Sequence, residues 1–177
     1  MRYSRISPFV IVASSLLWAK GDMVLIEIKG PDLRAAIKIT DPKIEEFNIW
    51  AGPGTSSSIR GEGTEGFIID WKAGALAQPP AGLQHYRLDF YAGCRQRPDD
   101  PDCAAERPRL VYVVGFDYDA ASKHGFVYLP RFFEPWSELN CGSICRGHGL
   151  EGHWFRATST WERFVAPFLE RARDSGG

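Results

Sequence analysis

The sequence has almost no excess charge and no run of basic residues. It contains 21 Lys and Arg against 22 Asp and Glu, a net charge of −1 over 177 residues. A protein that binds nucleic acid or an anionic membrane through its surface concentrates Lys and Arg there. The composition therefore predicts no nucleic-acid partner.

Complete catalytic and cofactor-binding motifs are also missing. The glycine-rich segment 52–66 is not followed by the Gly-Lys-Ser/Thr of a phosphate-binding loop, and Cys141-Gly-Ser143 lacks the frame of a nucleophile elbow. Four carboxylates lie in or beside the predicted strands: Asp70, Asp89, Asp117 and Asp119. Two of them could pair as acid and base, but carboxylates on strands usually face solvent. We expect no cofactor.

Long apolar runs are absent after the first 21 residues. Arg2 and Arg5 precede an uncharged run of 14 residues, Ile6 to Ala19, and small residues occupy both ends of Ala19-Lys20-Gly21. A membrane-spanning helix needs roughly 17–25 residues, whereas this pattern is typical of a secretory signal peptide. Residues 1–21 are therefore predicted to be a signal peptide cleaved before Asp22, which makes the protein secreted or periplasmic.

Two alternatives to this cleavage remain, a cut after Ala19 and a buried N-terminal element. After removal of residues 1–21 the chain retains 18 basic and 22 acidic side chains, a net charge of −4, and no stretch of membrane-spanning length.

Only four cysteines occur. Cys94 and Cys103 flank a polar, proline-containing loop, and Cys141 and Cys145 enclose three residues. In an oxidising compartment these spacings favour two local disulfides. Free thiols or other pairings are the alternative, and the spacings do not match the usual zinc-binding pairs.

The pattern of hydrophobic residues predicts an α+β fold, mainly antiparallel β-sheet with six to eight strands. Asp41 and Pro42 indicate the start of a short helix near 41–50. The domain is predicted to be a single β-rich unit over 22–173, with a disordered tail at 174–177. Strand-like segments are 23–29, 33–40, 66–71, 84–91, 110–118, 125–129 and 152–157.

A C-terminal amphipathic helix is predicted to pack on the sheet. Ser159 and Glu162 form a capping-box pattern at its start, and Pro167 predicts a kink or an early end near Ala166. The apolar stripe consists of Trp161, Phe164, Val165, Phe168 and Leu169.

Two sets of residues are candidates for a functional site. His148, Glu151 and His153 are the residue types of a catalytic zinc site, although the glycines around them also fit a turn with surface histidines. The second set could line a flat platform for a carbohydrate or a peptide, or belong to the core; it comprises Trp50, Trp71, Trp136, Trp154, Tyr91, Tyr112, Tyr118 and Tyr128.

Five segments together resemble a group of hypothetical exported bacterial proteins. They are Ile39–Pro42, Phe47–Trp50, Asp70-Trp71, Tyr128–Pro130 and Glu151–Ala157. The resemblance implies that these segments belong to one domain, and it carries no activity or catalytic residue.

The sequence therefore favours an exported, non-enzymatic binding or interaction domain. The alternative is a secreted or periplasmic hydrolase, metal-dependent through His148, Glu151 and His153.

Overall fold

A computed structural model describes residues 21–54, 67–93, 107–146 and 149–174. The predicted signal peptide, apart from Gly21, lies outside the described residues. So do Cys94, Cys103, His148 and residues 175–177 of the predicted tail.

The described residues form one seven-stranded antiparallel sheet with the strand order β2-β1-β4-β5-β6-β7-β3. This confirms the predicted α+β fold dominated by sheet. The strands are β1 (Met23–Lys29), β2 (Ile37–Ile39), β3 (Ala75–Leu76), β4 (Gln84–Ala92), β5 (Arg109–Asp119), β6 (His124–Tyr128) and β7 (Trp154–Arg156).

One face of the sheet forms the hydrophobic core. Side chains alternate between the two faces of a strand, so Ile26 and Ile28 of β1 point to the same face as Leu88 and Phe90 of β4, with which they pair directly. All four side chains are completely buried. The alternation visible in the sequence therefore placed the core on the correct residues.

Helix α2 (Ser159–Asp174) and a 3-10 helix (Pro42–Phe47) cover this face. Trp161, Val165 and Leu169 of α2 are buried as predicted, and the ring of Phe47 meets that of Trp161 edge-on at 5.0 Å. The predicted cap is also present, because the Asp41 carboxylate accepts a hydrogen bond from the Lys43 amide at 2.9 Å. In the described part of the chain, none of the helices combines the length and the apolar character needed to cross a membrane.

The ends of α2 differ from the prediction. The Thr158 hydroxyl, not that of Ser159, accepts the hydrogen bond from the Trp161 amide, and Glu162 binds the amide of Gly125 on β6 instead of its own helix. The helix continues past Pro167 to Asp174, so the predicted early end near Ala166 is wrong. Burial of Val165 and Leu169 on both sides of the proline offsets the lost backbone hydrogen bond.

The secondary structure of two segments between the strands also differs from the prediction. In the predicted strand 66–71, the described residues 67–71 do not form a strand: the backbone forms only a bridge between Ile69 and Ala157, and a short 3-10 helix (Trp71–Ala73) follows. Helix α1 (Ser137–Ile144) lies where no helix was predicted. Its Asn140 accepts from the Val113 amide at 2.8 Å and donates to the Val113 carbonyl at 2.7 Å, so it occupies the edge of β5 as a neighbouring strand would.

Candidate functional site

The sheet face opposite the core, here called the outer face, carries a straight line of side chains. Lys29, Arg87, Gly115, Tyr128 and Trp154 pair directly with one another across β1, β4, β5, β6 and β7. Directly paired residues of antiparallel strands lie on the same face, so these five form a continuous row, here called the central row. Tyr128 and Trp154 have ring centroids 5.0 Å apart. Aromatic rings and cations thus occupy opposite ends of one row.

A buried ion network supports the cationic end. The Asp89 carboxylate, 1% exposed, accepts hydrogen bonds from Lys29 Nζ at 2.6 Å and from Arg87 at 2.8 and 3.0 Å. Glu27 contacts Lys29 Nζ at 2.7 Å and accepts from the Tyr91 hydroxyl at 3.0 Å. The hydrogen bond from Lys29 lowers the pKa of Glu27, against the effect of burial. The network holds the two cations of the row in fixed positions.

The residues 131–136, here called the aromatic loop, project large apolar side chains into solvent. Phe132 is 56% exposed, Phe133 is fully exposed and Trp136 is 38% exposed. Phe133 and Trp136 also have positive φ angles of 71° and 75°, which bulky side chains rarely adopt. Each such residue costs on the order of 1–3 kcal/mol, and strain of this kind clusters at binding and catalytic sites.

Glu134 fixes the aromatic loop to the central row. Its carboxylate accepts hydrogen bonds from the Tyr128 hydroxyl at 2.7 Å and from the Arg131 amide at 3.0 Å, and it pairs with Arg131 Nε at 2.9 Å. Burial alone would raise the pKa of Glu134, but these hydrogen bonds outweigh it and the pKa is lowered. At the other end of the loop, the Arg87 guanidinium lies 4.7 Å from the centre of the Trp136 ring. The loop and the row therefore form one surface.

The predicted aromatic platform is assembled only in part. Trp50, Tyr112 and Tyr118 are buried in the core. Tyr128 and Trp154 are in contact on the outer face, and Trp136 lies against Arg87 in the same row. Phe132 and Phe133 were missing from the prediction, although two adjacent aromatic residues between Pro130 and Pro135 cannot both face a core and are a signal for an exposed pair.

A cleft of about 390 Å³ lies at the end of β6 and β7. It is lined by acidic groups, but each carboxylate stabilises a turn or a strand: Asp70 accepts from the Lys72 amide, Asp119 from the Ala121 amide, and Glu162 from the Gly125 amide. The Ser122 hydroxyl, with the Ala121 amide, also lowers the pKa of Asp119, whereas a general acid needs a raised one. The cleft also holds one imidazole–carboxylate pair, because His124 Nδ1 lies 3.3 Å from a Glu162 carboxylate oxygen, but that carboxylate is already engaged by the Gly125 amide.

The predicted metal-binding residues are only partly placed. His148 lies outside the described residues, so the set of His148, Glu151 and His153 stays a prediction. Glu151 accepts a hydrogen bond from the Arg146 amide, and the exposed His153 places Nδ1 at 3.2 Å from the Glu151 carbonyl oxygen. In the ranges that the structure covers, no three or more His, Cys, Asp or Glu side chains are arranged to hold a metal ion.

Cys141 lies within α1 and Cys145 directly follows it, both half-buried and both free thiols. The structure thus does not contain the predicted bridge between them. Burial raises the pKa of Cys141, and the neighbouring Cys145 thiol raises it further. Such a thiol is protonated near neutral pH and is a poor nucleophile. The Cys94–Cys103 bridge lies outside the described residues and stays a prediction.

Comparison with family models, with curated proteins and with solved structures finds no match to this chain.

Proposed function

We propose that the protein is a non-enzymatic binding domain whose ligand contacts the aromatic loop and the central row. The observation that carries the proposal is the pair of strained aromatic residues, Phe133 and Trp136, held at positive φ with exposed side chains. Trp136 begins helix α1 in this conformation and packs against Arg87, but the ring of Phe133 gains no burial in return, so folding alone gives no reason to keep a bulky side chain there. A ligand that packs against the rings does give such a reason.

The proposal includes export. β1 starts at Met23, and the Asp22 carbonyl accepts a hydrogen bond from the Gly93 amide at 2.9 Å. A mature chain that starts at Asp22 keeps this bond and the whole of β1. Export would also place Cys94 and Cys103 where a disulfide can form, and it agrees with the resemblance to exported bacterial proteins. N-terminal sequencing of the product should give Asp22 as its first residue; a cytoplasmic, uncleaved chain would end this part of the proposal.

Phe133→Gly separates binding from folding. Glycine adopts positive φ without strain. The free energy of unfolding of the variant should therefore equal that of the wild type or exceed it by about 1 kcal/mol. The loss of the ring should nevertheless weaken binding by tenfold or more, as expected for an aromatic anchor. Binding is measured on an array of glycans and peptides, and stability by urea denaturation.

Lys123→Gly is the matched control. Lys123 also has a positive φ, 61°, and an exposed side chain, but it lies in the turn between β5 and β6. This variant also loses the exposed ion pair between Lys123 and Glu170, so its gain in stability should be smaller by up to about 1 kcal/mol, and it should bind as the wild type does. An array without any hit, or Phe133→Gly binding its hits as tightly as the wild type does, would refute the proposed function.

A further inference from the structure

The charges of the outer face are arranged in two layers. The cations reach solvent: the side chains of Lys29, Lys38 and Arg87 are 35%, 68% and 38% exposed. The carboxylates lie beneath them, with Asp89 only 1% and Glu27 only 11% exposed. A ligand that approaches this end of the outer face therefore meets positive charge first, whereas the Glu134 carboxylate beside Tyr128 is 33% exposed and paired with Arg131.

The aromatic half of the central row continues this surface. Arg87 on β4 and Trp154 on β7 are separated by three strand spacings, about 14 Å. Gly115 lies between them on β5 and has no side chain, so the Tyr128 side chain packs closely over this position of the row. Arg156, two residues after Trp154 on the same face, adds another exposed cation.

The edges of the sheet argue against a peptide that pairs as an added strand. The backbone of β5 at Val113 is already hydrogen-bonded to Asn140. The two outer strands, β2 and β3, have only three and two residues. Recognition of an extended peptide depends on a longer free edge than these provide.

We propose that the ligand of the outer face is an acidic glycan, a polymer of carboxylate-bearing sugars. The apolar faces of its rings pack on Trp154, Tyr128 and Trp136, and its carboxylates meet the exposed ammonium and guanidinium groups. This inference rests on the proposed function, since it names the ligand class of the same surface. A polymer is required because one sugar ring is too short to reach both ends of the row.

Polygalacturonate and its methyl-esterified form test the inference, because they share a backbone and differ in charge. Calorimetric titration of the mature protein should show tighter binding of the acidic form, by about tenfold. Raising the ionic strength from 0.05 to about 0.5 M should weaken this binding, since exposed charges are screened.

Lys38→Gln and Arg156→Gln remove exposed cations of the face without uncovering Asp89. Each should weaken polygalacturonate binding by about threefold, the size expected for an exposed ion pair. Lys43→Gln is the charge-matched control on the 3-10 helix that covers the core face, and it should bind as the wild type does.

The possible failures are distinguishable. Equal binding of the two polymers, or Lys38→Gln and Arg156→Gln binding as the control does, overturns the acidic-glycan inference. If Phe133→Gly still abolishes binding to another array member, such as a neutral glycan or a peptide, the proposed binding function survives. If nothing binds, both proposals fail.

Discussion

At the scale of single residues, Arg146 is the clearest case of a side chain that the sequence did not reveal. It is completely buried, and its guanidinium donates to the carbonyls of Ile49, Ala51 and Pro53 at 2.8, 2.9 and 3.1 Å. It also lies 5.0 Å from the centre of the Trp71 ring. An arginine after a helix usually reaches solvent. Only the fold brings a chain segment almost a hundred residues away against it.

Replacing Arg146 by methionine should lower the free energy of unfolding by about 2 kcal/mol. Methionine fills similar space but cannot donate, and leaving partly buried carbonyls without a donor costs about 1 kcal/mol or more each, partly offset by the removed charge. Urea denaturation measures the change. Arg163→Met, at an exposed position of α2, should change stability by less than about 0.5 kcal/mol; an equal loss in both variants would contradict the role of Arg146.

At the scale of elements, strands with a strict alternation were predictable and helix α1 was not. The predicted 23–29 agrees with β1 to the residue, and 84–91 agrees with β4 to within one. Helix α1 buries the polar Ser137 and Asn140 and leaves Leu139 half-exposed, so its sequence has no apolar stripe. Its position depends on the contact of Asn140 with β5, which no local pattern encodes.

The aromatic loop was not predicted from the sequence for a related reason. Aromatic residues in a small domain usually belong to the core, and the flanking Pro130 and Pro135 were the only signal in the sequence that Phe132 and Phe133 do not. The central row could not be predicted from the sequence either, because it depends on the register between five strands.

The aromatic loop should open in acid. The lowered pKa of Glu134 means that its hydrogen bonds are fully present above its ordinary pKa of 4.5 and are lost as the pH falls through the lower value in the folded protein. The chemical shift of the Arg131 amide, which donates to Glu134, should therefore titrate with a midpoint below 4.5. Glu134→Gln should abolish this titration, whereas a midpoint above 4.5 in the wild type would contradict the arrangement.

At the scale of the whole molecule, the stability of a fold that is mainly one sheet depends on the packing and the charges of both sheet faces. The core face follows from the hydrophobic pattern and was largely predictable. The outer face is stabilised by charge, since Glu27 and Asp89 are buried among Lys29, Arg87 and Lys38. In the sequence these charged residues simply alternate with apolar ones and look like an ordinary solvent-exposed face.

The outer face should make stability depend on pH in a defined window. Because Lys29 and Tyr91 lower the pKa of Glu27 in the folded protein, its contribution is complete above about pH 4.5 and disappears as the pH falls through the lowered value. The pKa of Lys29 is raised above its ordinary 10.5: burial opposes the rise, but the hydrogen bonds to Asp89 and Glu27 outweigh it. The contribution of Lys29 is therefore complete below pH 10.5 and is lost as the pH rises from there through the raised pKa of the folded protein.

Glu27→Gln tests the acidic side of this window. The variant should be less stable than the wild type at pH 7, and the difference should shrink below pH 4.5, by at most about 1.4 kcal/mol per pH unit, since one proton is involved. Urea denaturation from pH 7 to pH 3 measures it. Glu45→Gln, on the exposed side of the 3-10 helix, is the matched control and should follow the wild type throughout. A constant difference between Glu27→Gln and the wild type across this range would show that the buried carboxylate contributes through packing and not through its charge.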